Sequence, residues 1–365
     1  MDRRRFVTRA TAAGAASALA VTAHAQSAGL PEVRWRIASS YPKSLVTIFG
    51  AMELFTRRVS ELTSGKFSIS LHAAGEIAPA LGVLDAAQNG SIEAAHTASY
   101  FYIGKDPAFG FGTAMPFGLN TRGQNAWIYE GGGEKLLGDF YDSYGVVHFP
   151  VGNTGAQMAG WYRKEIKTLA DLKGLKFRVG GLAGMVLSKL GVVPQQIAPG
   201  DLYPALEKGV IDAAEFVGPL DDEKLGLQKV AKYYYYPGWW EGAAHLSLFI
   251  NKKAWSALPS LYQSAVRSAA YEATAWCMAK YDSDNPAALR RLVGTGAQLR
   301  GFPQSVTAAC YKAAMELYEE MAEKSPAFRK IYPQWLKYRD DQIMWQHFCE
   351  QPFDALMSNL TRAKT

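Results

Sequence analysis

The sequence contains little cysteine, and its few cysteines match no known framework. The 365 residues include three cysteines, and the spacing of Cys277, Cys310 and Cys349 fits neither a zinc site nor a CxxC motif. One disulfide would be compatible with an oxidising compartment, and the odd number would then leave one thiol free or paired between chains. The alternative is that the cysteines serve as small buried apolar residues. A disulfide-rich scaffold is excluded in either case.

Signatures of the common enzyme classes are also missing. The sequence has no GxSxG, HExxH, P-loop or GxGxxG motif, and glycines 131–133 are not followed by the Lys-Ser/Thr of a phosphate loop. Six histidines occur, none paired at a metal-ligand spacing, and His96, His148 and His245 stand in strand-like contexts typical of core histidines. Because no nucleophile–base pair emerges, we predict a protein that is not an enzyme.

Charge of one sign is not in large excess. The formal net charge is +6, and residues 1–25 contribute +3 of it through four arginines and one aspartate. The remaining chain therefore carries a net charge of +3, and its basic residues are scattered along the sequence. This pattern argues against a nucleic-acid-binding protein.

Residues 1–25 have the pattern of a signal peptide. A basic start, MDRRRFVTRA, is followed by the apolar run TAAGAASALAVTA and by Ala23-His24-Ala25, an A-x-A cleavage site. Arg3 to Val7 include a twin-arginine pattern; the alternative is an ordinary secretion signal with a chance arginine run. The apolar run is too short and too rich in small residues to span a membrane. We expect an exported, soluble, periplasmic product.

The rest of the chain alternates between strand-like and helix-like segments. Strands are predicted over 32–39, 67–71 and 92–95, with helices over 44–62 and 81–88 between them. This order is typical of a parallel α/β sheet, and such sheets bind ligands at the carboxyl ends of their strands.

A second α/β run follows, and the chain beyond Lys252 is predicted to be almost entirely helical. A strand over 246–250 is expected to return to the first lobe. The C-terminal helices are predicted over 260–281, 285–292, 304–324 and 333–360. The predicted domain ranges are 26–152 for an α/β domain 1 completed by about 245–300, 153–244 for an α/β domain 2, and 301–365 for a helical C-terminal extension.

One carboxylate stands in an apolar stretch, GVIDAAEFVGP, at residues 209–219. If this stretch is a strand, side-chain alternation places Ile211, Ala213, Glu215 and Val217 on one face. A buried charge at Glu215 needs a partner, a metal or solvent. The simpler interpretation is that Glu215 ends the strand in water or forms a salt bridge with a neighbour.

Two further polar residues lie in strand-like, apolar surroundings. Arg178 alternates with Phe177 and Val179 and is either a surface arginine or a clamp for a carboxylate, which the planar guanidinium matches with two hydrogen bonds. Gln157, in GAQMAGW, is either a strand residue bonded to the backbone or an oxygen ligand for Na⁺ or Ca²⁺.

Aromatic residues cluster at 100–102, 233–236 and 239–240. Such clusters usually belong to a core or an interface, but they also line pockets for small molecules, where hydroxyl and indole N–H groups act as directional donors. Glu241 directly follows two tryptophans and is either a solvated loop residue or a second carboxylate in a pocket.

Several long stretches resemble the DctP-type extracytoplasmic solute-binding proteins of tripartite ATP-independent periplasmic (TRAP) transporters. They are DLYPALEKGVIDAAEFVGPLDDEKLGL, LKGLKFRVGG, GNTGAQMAGWYRKEI, AAHTASYFYIGKDPAFGFGTAMPFGL and YYYYPGWWEGAAHLSLFINKKAW. They cover essentially the whole mature chain in the family's order. The chain looks most similar to the branch that binds 2-oxo and 2-hydroxy monocarboxylates, such as pyruvate, 2-oxobutyrate or lactate, with a metal ion.

The resemblance implies an α/β, two-lobed periplasmic binding protein fold with domain-crossing strands and helices and a helical C-terminal extension. It implies that Arg178 grips the carboxylate of the ligand. It also implies that Gln157, Glu215 and the main-chain carbonyl of Phe216 bind a Na⁺ or Ca²⁺ ion that bridges to the ligand. Phe216 stands where the branch usually has tryptophan, which alters one wall of the pocket. Less certain pocket residues are Tyr100, Tyr102, Trp240 and Glu241.

The resemblance also implies partners. These are a small organic acid anion, the membrane subunits of a TRAP transporter, and a second copy of the chain that exchanges C-terminal helices to form a homodimer. The segment 332–360, with Trp335, Trp345, Phe348 and Phe353, is apolar enough to need such a partner, and packing on its own chain is the alternative. Other functions left open are the transport of a dicarboxylate, sugar acid or aromatic acid, a ligand-sensing subunit, and an exported enzyme.

Overall fold

The computed structural model describes residues 29–362, so the predicted signal peptide lies outside the described residues. In this part of the chain, eleven strands form two sheets and twelve α-helices surround them. The strands are β1 (Val33–Ser39), β2 (Phe67–His72), β3 (Ala94–Thr97), β4 (Val146–Asn153), β5 (Trp161–Tyr162), β6 (Lys176–Arg178), β7 (Val193–Gln195), β8 (Ala213–Ala214), β9 (Tyr233–Tyr236), β10 (His245–Asn251) and β11 (Gln298–Gly301). The helices are α1 (Ile48–Leu62), α2 (Val83–Gln88), α3 (Thr121–Tyr129), α4 (Gly133–Asp142), α5 (Gly181–Lys189), α6 (Leu202–Glu207), α7 (Pro219–Leu225), α8 (Lys252–Ser256), α9 (Ser260–Gly294), α10 (Gln304–Lys324), α11 (Pro326–Phe348) and α12 (Glu350–Arg362).

The first sheet has the strand order β2-β1-β3-β10-β4. Strands β1, β2 and β3 run parallel, whereas β10 lies antiparallel between β3 and β4. Trp35 and Ile37 of β1 enter a core formed with α1 and α9. Arg34, which precedes Trp35, and Arg36, which lies between the two core residues, stay exposed. This alternation is the pattern that predicted β1 as a strand.

The second sheet has the strand order β11-β9-β5-β8-β6-β7. Strand β8 runs parallel to β6 with Arg178 opposite Ala214, and antiparallel to β5 on its other side. Strand β11 comes from beyond α9 and pairs parallel with β9. The chain thus crosses between the two sheets more than once. The domain boundaries given above remain a prediction.

The helices of the C-terminal third differ from the predicted ranges in three places. Residues 260–294 form one continuous helix of 35 residues that contains Pro286, where two helices were predicted. The helix predicted from 333 begins at Pro326, because Ser325 caps its start by accepting a hydrogen bond from the N–H of Phe328 at 3.0 Å. The helical conformation is interrupted at Cys349, so α11 and α12 are separate helices.

The structure contains no disulfide among the three cysteines, which all lie within the described residues. Cys277 and Cys310 are buried, and burial raises the pKa of each thiol to about 12. These two cysteines therefore act as small core residues, which is the alternative given for them above.

Candidate ligand site between the two sheets

A small cavity lies where strand ends of the two sheets face each other. Tyr41 and Tyr100 follow β1 and β3, Thr154 follows β4, and Gln157 and Phe216 come from segments next to β5 and β8. The cavity volume is about 10 Å³, no more than a single water molecule needs. The two lobes are thus closed on each other, and a solute of several atoms enters when they move apart.

Arg178 and Glu215 form a buried ion pair beside this cavity. Arg178 is 1% exposed and Glu215 is 0% exposed. The Nη1 group of Arg178 donates to the carbonyl oxygen and to Oε1 of Glu215, each at 2.6 Å, and Nε donates to the Ile197 carbonyl at 3.2 Å. No described residue accepts a hydrogen bond from Nη2. The surface interpretation of Arg178 is therefore wrong, and Glu215 has the neighbouring salt-bridge partner considered above.

The ion pair leaves one oxygen of Glu215 without a partner. Oε1 also accepts a hydrogen bond from the N–H of Gly180 at 2.7 Å, whereas Oε2 makes no hydrogen bond of normal geometry with residues 29–362. Burial raises the pKa of Glu215, and the charge of Arg178 opposes that rise. A buried, unpaired carboxylate oxygen is costly, so Oε2 marks a place where another charged or polar group belongs.

Gln157 and Glu241 add three more such oxygens. Gln157 Nε2 donates to the hydroxyl of Thr154 at 3.0 Å, which leaves its Oε1 without a partner. Both carboxylate oxygens of Glu241, which is 2% exposed, also make no hydrogen bond of normal geometry in the described chain, although the Tyr100 hydroxyl faces this carboxyl. Burial, and next the charge of Glu215, raises the pKa of Glu241 well above its usual value. The backbones of Gln157 and Glu241 are joined by an N–H to carbonyl hydrogen bond of 3.0 Å.

Three of the four predicted aromatic residues lie with these charged groups. Tyr100 packs against Gly180 so closely that a Cβ on that glycine would meet the tyrosine ring at 2.9 Å. The indole N–H of Trp240 faces Glu215 and lowers the pKa of that carboxyl, although it makes no hydrogen bond of normal geometry. The Phe216 ring lies 5.9 Å from the guanidinium carbon of Arg178.

Five of the predicted site residues do not line the cavity: Arg178, Glu215, Trp240 and Glu241, which interact with one another beside it, and Tyr102. The hydroxyl of Tyr102 contacts Thr97 Oγ1 at 3.2 Å and accepts a hydrogen bond from the N–H of Leu84 at 3.3 Å. These contacts tie the end of β3 to the start of α2. Tyr102 thus supports the wall behind the site and does not line the cavity.

Several residues that the sequence analysis did not single out line the cavity, among them Tyr41 and Thr154. Tyr41 is 2% exposed, and burial raises the pKa of its hydroxyl well above the usual value. It stands two residues beyond the end of β1, and Thr154 directly follows β4. Their position at the carboxyl ends of strands was the signal available in the sequence.

The prediction that side-chain alternation decides the burial of Glu215 is wrong. Strand β8 spans only Ala213 and Ala214, and Ala214 and Phe216 are as buried as Ala213 and Glu215. The reason is that β8 is a central strand between β5 and β6, and both faces of such a strand are covered. The burial of Glu215 is thus not a matter of which face it occupies.

The histidines belong to the core, as their contexts predicted. His96 Nδ1 lies 3.0 Å from the Ser39 hydroxyl, and His245 Nε2 lies 2.6 Å from Asn125 Oδ1. Burial lowers the pKa of His96, His148 and His245 to about 3. These rings are therefore neutral at physiological pH.

The donor set around the cavity fits a hard cation. It offers the free oxygens of Gln157, Glu215 and Glu241, together with the main-chain carbonyl of Phe216, on which no hydrogen bond from a described residue ends. Within residues 29–362 no group of three or more His, Cys, Asp or Glu side chains is arranged to hold a metal. The set depends instead on carboxylate, amide and carbonyl oxygens, which suit Na⁺ or Ca²⁺ and not thiophilic metals.

A two-lobed α/β protein with a closed cavity between its lobes and a buried ion pair beside that cavity has the architecture of a solute-binding protein. Residues 38–325 match DctP, the bacterial extracellular solute-binding protein family 7, and the chain belongs to this family. It is 46% identical to a monocarboxylate 2-oxoacid-binding periplasmic protein of Nostoc sp., over 98% of this chain and 100% of that relative.

Two solved structures are similar over nearly the whole chain. A TRAP transporter solute-binding protein from Bordetella bronchiseptica is 50% identical with a TM-score of 0.91, covering 92% of this chain and 100% of that chain; it is a mixed-occupancy dimer with copurified calcium and picolinate. A TRAP periplasmic solute-binding protein from Pseudoalteromonas atlantica, with bound sodium and pyruvate, is 38% identical with a TM-score of 0.86, covering 88% of this chain and 98% of that chain.

These similarities confirm the predicted family, the two-lobed α/β fold class with its helical C-terminal region, and a role in TRAP-type solute transport outside the cytoplasm. None of the helices within residues 29–362 combines the length and the apolar character needed to cross a bilayer.

Proposed function

We propose that this protein binds a small 2-oxo or 2-hydroxy monocarboxylate, of the pyruvate, 2-oxobutyrate and lactate class, with a bridging Na⁺ or Ca²⁺ ion, and delivers it to the membrane subunits of a TRAP transporter. The observation that carries the proposal is the group of buried, unpartnered oxygens of Gln157, Glu215 and Glu241 beside a buried arginine. The Nostoc relative and the pyruvate-bound structure support the ligand class.

Arg178 is the group that would recognise the carboxylate of the solute. Its Nη1 and Nε are already used by Glu215 and Ile197, so Nη2 is the donor left for the ligand. We therefore assign to Arg178 a single charge-assisted hydrogen bond in the closed state, in place of the two-bond clamp that the sequence suggested.

The charges of the site favour a divalent ion. Burial raises the pKa of Glu241 well above its usual value, so this carboxyl ionises only with a cation beside it; Glu215, Glu241 and a monocarboxylate then carry three negative charges, and Arg178 carries one positive charge. A Ca²⁺ ion makes this buried group neutral, whereas Na⁺ leaves one negative charge. Because an uncompensated buried charge is costly, we expect Ca²⁺ to support tighter binding than Na⁺. A cation bound there supplies the positive charge that lets the carboxylates share a dry site.

The oxygen donors favour an acid with a second donor atom next to its carboxylate. A 2-oxo or 2-hydroxy acid offers that atom as its 2-oxygen. Picolinate, bound with calcium in the Bordetella structure, offers a ring nitrogen at the same position. An aromatic acid of this kind is thus the second ligand candidate.

Isothermal calorimetry tests the proposal on mature protein that has been unfolded and refolded to remove bound solute. We expect pyruvate and lactate to bind with Ca²⁺, more weakly with Na⁺, and not in EDTA. Picolinate in the same series separates the two ligand candidates. Equal binding of pyruvate in EDTA would show that no cation takes part, and the absence of binding under all conditions would reject the monocarboxylate class.

We assign no catalytic step to the site. Its histidines are neutral core residues with other partners, and its carboxylates lie where they can hold an ion and not beside a nucleophile. A turnover assay on 2-oxo acids checks this point. A ligand-sensing subunit would use the same closure, and capture of TRAP membrane subunits by the closed protein distinguishes transport from sensing.

We also propose that two copies of the chain form a homodimer through their C-terminal helices. Phe353, Leu356, Met357 and Leu360 recur at helical spacing on α12 and are all exposed. Phe348 at the end of α11 is 72% exposed. Trp335, by contrast, is 1% exposed and packs within its own chain against Phe111 and Tyr332, so it does not belong to the face that needs a partner. The dimeric Bordetella structure supports a second copy as the occupant.

Analytical ultracentrifugation checks this proposal. We expect the mature protein to sediment as a dimer and the variant Phe353→Asp/Leu356→Asp to sediment as a monomer, because charges on this face oppose burial. Both side chains are exposed, so the variant should retain its fold and its calcium-dependent binding. A wild-type protein that is monomeric throughout the concentration range would remove the dimer from the proposal.

A further inference from the structure

Asp222 is a buried carboxylate close to the proposed cation site, and the proposed function gives it no role. It is 1% exposed and lies in α7, which follows the segment that carries Glu215 and Phe216. Its Oδ2 accepts hydrogen bonds from the indole N–H of Trp161 at 3.0 Å and from the hydroxyl of Tyr234 at 2.7 Å. Its Oδ1 accepts one from the backbone N–H of Val217 at 3.4 Å.

The two donors on Oδ2 form a rigid support. Trp161 of β5 and Tyr234 of β9 stand opposite each other in the second sheet, and their rings stack with centroids 4.0 Å apart and planes 14° apart. Asp222 is therefore held from the sheet side, and its second oxygen is directed at the Val217 peptide group.

The Val217 N–H belongs to the same peptide unit as the Phe216 carbonyl. That peptide bond is trans, and a trans peptide unit is planar with its N–H and C=O pointing in opposite directions. Holding the N–H toward Asp222 thus aims the Phe216 carbonyl away from α7. Phe216 and Val217 both line the cavity.

The carbonyl groups on either side of the Phe216 carbonyl are each held by a hydrogen bond from the protein. The Glu215 carbonyl accepts a hydrogen bond from Arg178 at 2.6 Å, and the Val217 carbonyl accepts one from the Met158 N–H at 3.0 Å. The Phe216 carbonyl, between them, receives none from any described residue. Only the N–H end of its peptide unit is fixed by the protein.

We infer that Asp222 is a positioning residue that sets the direction of the Phe216 carbonyl, and so its availability as a cation ligand, through the Val217 peptide plane. The inference rests on the proposed cation site. The charged and titratable groups around Asp222 are Asp221, Glu215 and Tyr234. Partners that orient a ligand from behind commonly change metal affinity by roughly 10- to 100-fold when they are lost.

Asp222→Asn is the direct test. The amide oxygen should turn to the side with two donors, Trp161 and Tyr234, which leaves its NH₂ group against the Val217 N–H. Two donors then face each other, and the peptide plane loses its anchor. Asp221→Asn is the matched control, because Asp221 is equally buried but takes its hydrogen bond from the Tyr281 hydroxyl and not from the 216–217 peptide.

Terbium luminescence gives a readout that a purely structural role would not move. Lifetimes of bound Tb³⁺ in H₂O and D₂O count the water molecules on the ion, and calorimetry with Ca²⁺ and pyruvate gives the affinity. We expect Asp222→Asn to add one water to the ion and to weaken Ca²⁺ binding by about 10- to 100-fold, with circular dichroism unchanged. Asp221→Asn should keep the wild-type water count.

Each contrary result has a distinct meaning. A wild-type water count and affinity in Asp222→Asn, while Glu215→Gln loses binding, would overturn the positioning role and leave the cation site standing. No Tb³⁺ or Ca²⁺ binding by the wild-type protein would overturn the cation site itself. Should Asp222→Asn fail to fold, Tyr234→Phe decides, since it keeps the stacked ring and removes the hydroxyl donor that holds Asp222; unchanged affinity there overturns the role.

Discussion

Replacing Glu215 by glutamine is expected to abolish calcium-dependent binding of pyruvate while the protein stays folded. The amide oxygen can accept the hydrogen bonds that Arg178 Nη1 and the Gly180 N–H now give to Oε1. The amide NH₂ then stands where Oε2 has no partner, and a donor group cannot coordinate a cation. The site loses one ligand and one negative charge together, so we expect at least about a 100-fold loss of affinity.

Calorimetry with Ca²⁺ and pyruvate measures this effect, and circular dichroism with urea unfolding verifies the fold. Glu207→Gln is the control, since it makes the same chemical change on an exposed residue of α6. Glu215→Gln protein that binds pyruvate as tightly as the wild type would contradict the role given to this carboxylate.

Replacing Arg178 by methionine is expected to destabilise the protein and to remove binding as well. The change leaves the Glu215 carboxylate buried at 0% exposure without its ion-pair partner. Breaking a buried pair from one side costs about 3–5 kcal/mol of the free energy of unfolding. The loss should exceed that caused by breaking an exposed pair such as Lys337 with Asp341, because solvent screens the charges of such a pair.

The pH dependence of this loss has a definite sign. Burial already raises the pKa of Glu215, and Arg178 opposes the rise, so the pKa climbs further in Arg178→Met. A carboxyl whose folded pKa exceeds its unfolded value stabilises the fold below the unfolded pKa, near 4.3, and that stability is lost as the pH rises through the folded pKa. The free energy of unfolding of the Arg178→Met variant should therefore be much smaller at pH 8 than at pH 5.

Urea unfolding at both pH values measures the loss, and a second variant isolates its cause. Arg178→Met/Glu215→Gln has no buried charge at this position and should recover much of the lost stability at pH 8 without regaining pyruvate binding. If the double variant were as unstable as the single one, the cost would come from packing and not from the unpaired carboxylate.

The residues of the candidate site were largely accessible from the sequence, because their types are unusual for their surroundings. A glutamate and an arginine in apolar strands, and a glutamate after two tryptophans, stand out against local patterns. All three are fully buried, and each adjoins one of the cavity-lining residues Gln157 and Phe216. Tyr102 was misplaced, since an aromatic cluster does not reveal which of its rings faces a cavity and which supports the wall behind it.

Residues that act through long-range contacts were not accessible in this way. Tyr41 and Thr154 reach the cavity because β1 and β4 end at the same edge of the first sheet as β3. Asp222 appears in the sequence as an ordinary acidic residue in the first turn of a helix. Its connection to the Val217 peptide exists only because Trp161 and Tyr234 stack behind it.

The sequence by itself determined the strands and helices of the lobes, the exported class of protein and the set of charged residues that a solute would meet. It did so because apolar periodicity, capping residues and family motifs are local properties. Only the tertiary structure decided that Arg178 pairs with Glu215, since that contact depends on the parallel register of β6 and β8, which sets Arg178 opposite Ala214. It also decided that β8 is central and buried on both faces, because coverage of a sheet depends on which strands and helices pack beside it.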